Sequence, residues 1–280
     1  MLGLLLVVVF AYAPVRKAGF IWDDEDYVER NQLLVEPGGL AEIWNPGSPL
    51  NPQYYPLVFT TFRIERALWG LDPTGYHVVN VLLHFLDAIL LYLLLRRVGI
   101  GWAWLPAAVF AAHPVHVESV AWVAERKNVL SAFFYFLAAH AFLTFQRREG
   151  RPAEAPRWGI YALAVACFVL ALFAKTVTAS LPVALALLLW WRDGKISRRT
   201  LGTLTPMLVI GFASGKIPSV AANRILLKNI AVTGLHWGAH ATKDPTKIPR
   251  TFEALFELHR SAEALASFDS AIELDADDPT

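Results

Sequence analysis

The chain has little cysteine, little methionine and little charge. Its single cysteine, Cys167, lies inside an apolar run, which excludes an internal disulfide and a Cys-x-x-Cys metal site. Only 18% of the 280 residues are Asp, Glu, Lys or Arg, and they nearly cancel, to a formal net charge of +1. No basic face is left to neutralise phosphates, so a nucleic-acid partner is excluded. The opening segment has no basic stretch ahead of its apolar run and no small-x-small pattern before Arg16. That argues against a cleaved secretory signal and for a retained first helix. No repeat unit recurs along the chain.

What the chain has in quantity is apolar length. Hydrophobic residues make up 55% of it, with a mean hydropathy of +0.41. They gather into runs at about 1–14, 78–95, 102–124 (broken by Pro114), 128–145, 158–174 and 177–191. Each run is near the roughly 20 residues that a helix needs to cross hydrocarbon. The 10 tryptophans fit the same reading, because indoles favour the headgroup zone. The expected fold is an all-α polytopic membrane protein with about six spans.

Positive charge gives the expected orientation. Arg96 and Arg97, then Arg147, Arg148, Arg151 and Arg157, then Arg192, Lys195, Arg198 and Arg199 fall in alternate connections, which makes those connections cytoplasmic. Residues 15–77 then form one large external loop, turn-rich at first and apolar and aromatic from Tyr54 to Trp69. The latter stretch reads as a helix lying along the membrane surface. The acidic sequence Phe20–Tyr27, FIWDDEDY, falls in this loop. His113–Lys127 and Lys175–Thr176 fall on the same outer side, so three polar segments converge on one face of the bilayer.

After about residue 200 the character changes. Leu201–Ala213 is too short to span, and residues 201–258 read as a soluble α/β piece with alternating and β-branched runs. From His259 onward the pattern is helical, with Ala264, Leu265, Phe268, Ala271 and Ile272 on one face. The run GFASGK at Gly211–Lys216 is one residue short for a phosphate loop, and Ile217 replaces the Ser or Thr that would meet magnesium. That reading is rejected.

Four passages carry a family resemblance: FIWDDEDYV at 20–28, LWGLDPTGYHVVNVLLH at 68–84, FAAHPVHVESVAWVAERKNVLS at 110–131 and AKTVTASLPVALALLLWW at 174–191. Through them, residues 1 to about 200 resemble the amino-terminal half of transmembrane and tetratricopeptide repeat proteins of the glycosyltransferase C superfamily, relatives of protein O-mannosyltransferases. The resemblance implies a multi-span helical bundle that moves a sugar, mannose in that family, from a polyprenyl-phosphate donor to a protein acceptor, with inversion at the sugar carbon. The donor enters as a substrate, and no cofactor is otherwise implied. The expected setting is an integral, multi-pass position in a bacterial cell or inner membrane, or in a eukaryotic endoplasmic reticulum, with the active face extracytoplasmic. Asn128 departs from the Asp usual in relatives, and Thr176 from the Pro that often follows the lysine.

The resemblance assigns the acidic pair. Asp24 is the expected base or acceptor-orienting carboxylate and Asp23 its partner, since a neighbouring carboxylate and the apolar Phe20, Ile21 and Trp22 raise a carboxyl pKa. From the motif alone the stretch is a solvated acidic turn, and Glu25 and Asp26 keep that reading. His116 and Glu118 are expected to contact acceptor or donor. A divalent metal at His113, His116 and Glu118 is left open by spacing, though Pro114 breaks the helix and no fourth ligand is evident. Arg126, Lys127 and Lys175 are expected at the donor phosphate, with interfacial snorkelling as the plain alternative. His84 and Asp87, three apart in the second span, are read as structural.

Residues 208–258 resemble the carboxy-terminal part of medium-chain zinc-free quinone oxidoreductases, whose strand-to-loop turn would explain the glycines of GFASGK. The nucleotide-binding glycine turn and the catalytic domain are missing. Residues 260–279 resemble one incomplete tetratricopeptide repeat, which cannot bury its own apolar face. The expectation is a fused and truncated transferase. A non-catalytic membrane scaffold is the alternative, and a quinone reductase the poorest reading.

Overall fold

In a computed structural model, residues 1–146 and 157–213 are described. Ten α-helices occur among them: α1 (Leu2–Tyr12), α2 (Gly39–Ile43), α3 (Pro56–Trp69), α4 (Pro73–Arg97), α5 (Trp104–Ala112), α6 (Val117–Ala121), α7 (Arg126–Phe145), α8 (Trp158–Ala174), α9 (Leu181–Asp193) and α10 (Arg198–Ala213). No strand occurs among the described residues. The repeat-like residues 259–280 and nearly all of the oxidoreductase-like stretch lie outside them. Its first residues are described, and there Gly211 sits within α10, packed near Ala179 and Phe168. The strand-to-loop turn expected at Gly211 is therefore replaced by helix, because this short apolar run packs on other helices.

The longest helix shows how local chemistry sets its ends. Asp72 caps α4 by accepting the Thr74 N–H at 2.9 Å, Pro73 occupies the first helical position, and Arg96 and Arg97 close the last turn. Gly99, at φ +96°, takes the left-handed conformation just beyond the end. Its 25 residues extend about 37 Å at about 1.5 Å per residue.

Two stretches among the described residues are long and apolar enough to cross a membrane, Pro73–Arg97 and Val123–Phe145. In the most apolar 18 residues of the first, only 22% are buried. A soluble core helix would be mostly covered, whereas this one turns its apolar side chains outward, as do Leu2, Leu6 and Phe10 of α1 and Leu187, Trp190 and Trp191 of α9. The described residues are those of an all-α membrane protein.

The run expected to span 102–124 does not form one helix. Helix α5 has nine residues and ends at His113, where Pro114 opens a 3₁₀ turn that leads into the five-residue α6. Proline has no N–H and disfavours helical backbone in the residue before it. The chain consequently turns at the level where the polar residues begin.

Three cores hold these elements. Helices α7, α8, α9 and α10 close around Phe142, Phe168, Leu185 and Met207. Helices α1, α4, α5, α6 and α7 meet around Val8, Tyr12, Ala88, Ala111, Val120 and Val129. The third core lies under the loop of residues 15–72 and joins Tyr27, Leu33, Phe59, Phe62 and Tyr76 to Val123, Ala124 and Leu130. The apolar-aromatic stretch of that loop forms α3, with Val58, Phe59, Phe62 and Glu65 on its buried face. Helix α7 contributes to all three cores, and its first turn carries the polar residues of the site.

Candidate functional site

The acidic loop reaches the site through a strained residue. Trp22 has φ 49°, a left-handed backbone that a bulky side chain rarely adopts. Its ring meets Trp122 edge to face at 5.3 Å. The turn that follows buries Asp24 completely and leaves Asp23 half-buried. One Asp24 oxygen accepts the Ile21 N–H at 3.0 Å, closing the turn, and the other accepts the Ala124 N–H at 2.7 Å. Burial pushes the Asp24 carboxyl up to about 6, against the pull of these two N–H groups, and Asp23 and Glu29 add to the rise.

The two carboxylates of the expected pair stand in different surroundings. Asp24 has no exposed surface, and both of its oxygens accept backbone hydrogen bonds. As arranged here it fastens the acidic loop to the Ala124 segment. Asp23, beside it, is the carboxylate that reaches the surface.

Arg126, expected at the donor phosphate, is packed in the interior. It has no exposed surface, and its guanidinium is fully engaged. Nε donates to Asn80 Oδ1, the two terminal nitrogens pair with the Glu65 carboxylate, and they also donate to the Tyr76 carbonyl at 3.0 Å and to Thr61 Oγ1 at 3.4 Å. Phe62 lies beneath its plane, with Cζ 5.1 Å from the ring centre. A guanidinium with every edge occupied has no donor left for a phosphate. Arg126 ties α3, α4 and α7 together. Burial pushes the Glu65 carboxyl up, and Arg126 opposes that shift.

Lys127 is likewise held. Its Nζ lies 2.6 Å from Glu125 Oε1 and between the Tyr27 and Tyr55 rings, at 5.5 and 5.7 Å from their centres. Lys175 is different. It follows α8 in extended backbone, its Nζ donates to Asn128 Oδ1, and burial pulls its pKa down. It lines a cavity of about 270 Å³ with Asn128, Ser131, Tyr135, Phe136 and Thr178 among its neighbours. Of the three cations expected at a phosphate, Lys175 is the one that faces open space.

The histidine segment gives no convergent set. His113 is exposed and uses Nδ1 to accept the Val115 N–H at 3.2 Å, while His116 packs on Phe110 with ring centres 4.4 Å apart. Glu118 is exposed and acts on Lys175 only through space. Among the described residues no three His, Cys, Asp or Glu side chains group as they would around a metal. His84 bonds across helices to the Ala111 carbonyl at 3.1 Å, not to Asp87, whose oxygens have no hydrogen-bond partner among the described residues.

Comparison with known proteins finds protein O-mannosyl-transferases. Human protein O-mannosyl-transferase TMTC2 is 30% identical over 159 residues, which is 52% of this chain and 19% of that protein. Protein O-mannosyl-transferase Tmtc1 of Drosophila melanogaster is 31% identical over 179 residues, 59% of this chain and 19% of its own length. Mouse protein O-mannosyl-transferase TMTC4 is 33% identical over 172 residues, 51% and 23% of the two chains. The chain is similar to protein O-mannosyl-transferases. It spans about a fifth of the length of these relatives (19% to 23%). No family model and no solved structure matches.

Within this mannosyl-transferase-like chain, sequence reasoning missed Glu65 and Asn80, which hold Arg126. A signal was present for both. Glu65 stands on the apolar face of α3 with Phe62, and Asn80 lies in an apolar span, where an uncompensated polar group is costly.

Proposed function

We propose that this chain forms the membrane part of a transferase that moves a sugar, mannose by its similarities, from a polyprenyl-phosphate donor to a hydroxyl of a protein acceptor on the extracytoplasmic side. The helices beyond the two long ones complete a multi-pass arrangement in this reading. The observation that carries it is a continuous set of contacts: Asp24 is bonded to Ala124, Glu125 to Asn128, and Asn128 to Lys175. The acidic loop, the start of α7 and the cation after α8 are thereby brought to one place.

In this reading Asp23 takes the proton from the acceptor hydroxyl as its oxygen attacks the anomeric carbon. The bond from that carbon to the phosphate oxygen breaks on the opposite face, and polyprenyl phosphate leaves with the electron pair. Lys175 stabilises the charge gathering on that phosphate. Asp24 holds the loop in register and takes no proton from the acceptor.

The test is transfer from a polyprenyl-phosphate mannose to a Ser/Thr peptide by the full chain reconstituted in bilayers. Transfer by the wild type, lost in Asp23→Asn with unchanged membrane insertion, is the expected result. A second reading, a non-catalytic scaffold, is favoured by the sealed Asp24 carboxylate, and a wild type that inserts and folds without any transfer would establish it.

A further inference from the structure

Helix α4 carries a buried polar stripe of His77, Asn80, His84 and Asp87, and its last member stands apart. Asn80 bonds to the Trp122 carbonyl and to Arg126, and His84 Nε2 to the Ala111 carbonyl at 3.1 Å. Asp87 is 1% exposed, and neither of its oxygens has a hydrogen-bond partner among the described residues. A lone carboxylate in an apolar interior is so costly that the group holds its proton instead. Asp87 is thus a neutral acid within the helix bundle.

A line of imidazole rings leads from this acid to the surface. His84 lies one turn before Asp87 on the same buried face, where side chains three apart are neighbours. The Ala111 carbonyl accepts a hydrogen from His84 Nε2, which leaves Nδ1 as the basic nitrogen of that ring. His116 stands 5.5 Å from His84 between ring centres, and the exposed His113 stands 6.4 Å from His116. By ending α5, Pro114 brings His116 against Phe110 and His84. Other titratable groups flank the line without joining it. Tyr12 of α1 meets His84 edge to face at 5.4 Å, and His77 lies two turns before His84. His140 of α7 bonds to the Leu90 carbonyl at 2.9 Å, one turn beyond Asp87.

We infer that Asp87 is a proton-binding site within the bundle, loaded and emptied through His84, His116 and His113 from the surface at which His113 is exposed. Imidazole takes a proton at one ring nitrogen and releases one from the other. On release the Asp87 proton goes to His84 Nδ1, and the electron pair of the broken O–H bond stays on the carboxylate. His84 gives its Nε2 proton to His116, which passes one through His113 to water. The emptied site is the costly state, so Asp87 is filled at neutral pH. Sugar transfer as proposed above uses neither Asp87 nor His84, so the two readings stand or fall separately.

Infrared difference spectroscopy of the full chain in nanodiscs at neutral pH tests this, with exchange into deuterium oxide as the probe. Wild type is expected to show the carbonyl stretch of an un-ionised carboxylic acid, absent from Asp87→Asn, which shifts to lower frequency as the deuteron arrives. His116→Phe should slow that shift at least about tenfold, because a positioned proton carrier speeds transfer by about 10²–10⁴. His116→Asn, polar but unable to carry a proton at neutral pH, gives a second measure should the phenylalanine variant not fold. His140→Gln, off the line, should exchange at the wild-type rate. Slowed exchange in a folded His116 variant, beside an unchanged His140→Gln, upholds the inference. A wild type without an Asp87 acid band overturns it. So does exchange at the wild-type rate in either folded His116 variant, or equal slowing in His140→Gln.

Discussion

The Asp24 carboxylate accepts the backbone N–H of Ala124 at 2.7 Å, across 100 residues of chain and with no exposed surface. It fastens the acidic loop to the polar start of α7. A carboxylate suits this task because both oxygens accept, one closing its own turn and the other gripping a distant segment.

Replacing Asp24 should therefore be felt first as lost stability. In Asp24→Asn one of the two backbone N–H groups faces an amide nitrogen, and a buried donor left unpaired costs about 1–3 kcal/mol. An unfolding midpoint in detergent lowered more by Asp24→Asn than by Asp23→Asn is the expected pair of results. Equal midpoints for the two variants would refute the fastening role.

The pH dependence has a definite sign. Burial raises the folded Asp24 carboxyl to about 6 from 3.8, so between these values the folded chain binds more protons than the unfolded one. Its contribution to stability is fully present below the unfolded value, falls as pH rises through about 4 to 6, and is lost above that window. Wild type should lose stability across that range relative to Asp24→Asn, by roughly 2–3 kcal/mol at the scale of one pKa unit per 1.36 kcal/mol. Parallel melting curves against pH for the two proteins would contradict this.

Arg126 and Glu65 should behave as a buried pair. Removing either partner leaves an uncompensated buried charge and costs about 3–5 kcal/mol. Arg126→Met with Glu65→Leu should cost less than the sum of the single changes, since no lone charge is left. A double-mutant cycle on the unfolding midpoints measures the coupling, and strict additivity would show that the two side chains act independently.

Gly39 is required by close approach. A Cβ there would collide with the Leu33 backbone carbonyl, which Arg63 holds by hydrogen bonding. Gly39→Ala should destabilise by about 1–3 kcal/mol as overpacking. Gly47→Ala, where a Cβ would meet only Asn45 Oδ1 at 3.5 Å, should stay within about 0.5 kcal/mol. Comparable losses at both sites would argue against the packing account.

The sequence by itself determined the apolar elements and their class. Long apolar runs edged by Arg96–Arg97, Asp72–Pro73 and Gly99 specify helix and membrane locally, because backbone in hydrocarbon must satisfy its own hydrogen bonds. It also marked the three polar segments from which the site is built. Tertiary structure decided which charges the fold uses up and which one stays open. Arg126 meets Glu65 across 61 residues and Asn80 across 46, and Lys175 meets Asn128 across 47. Such pairings depend on how α3, α4, α7 and α8 pack, and periodicity carries no record of them. Arg126, Lys127 and Lys175 are all cations near one face. Only packing separates a guanidinium sealed among carboxylate, amide and carbonyl from an ammonium that lines a cavity.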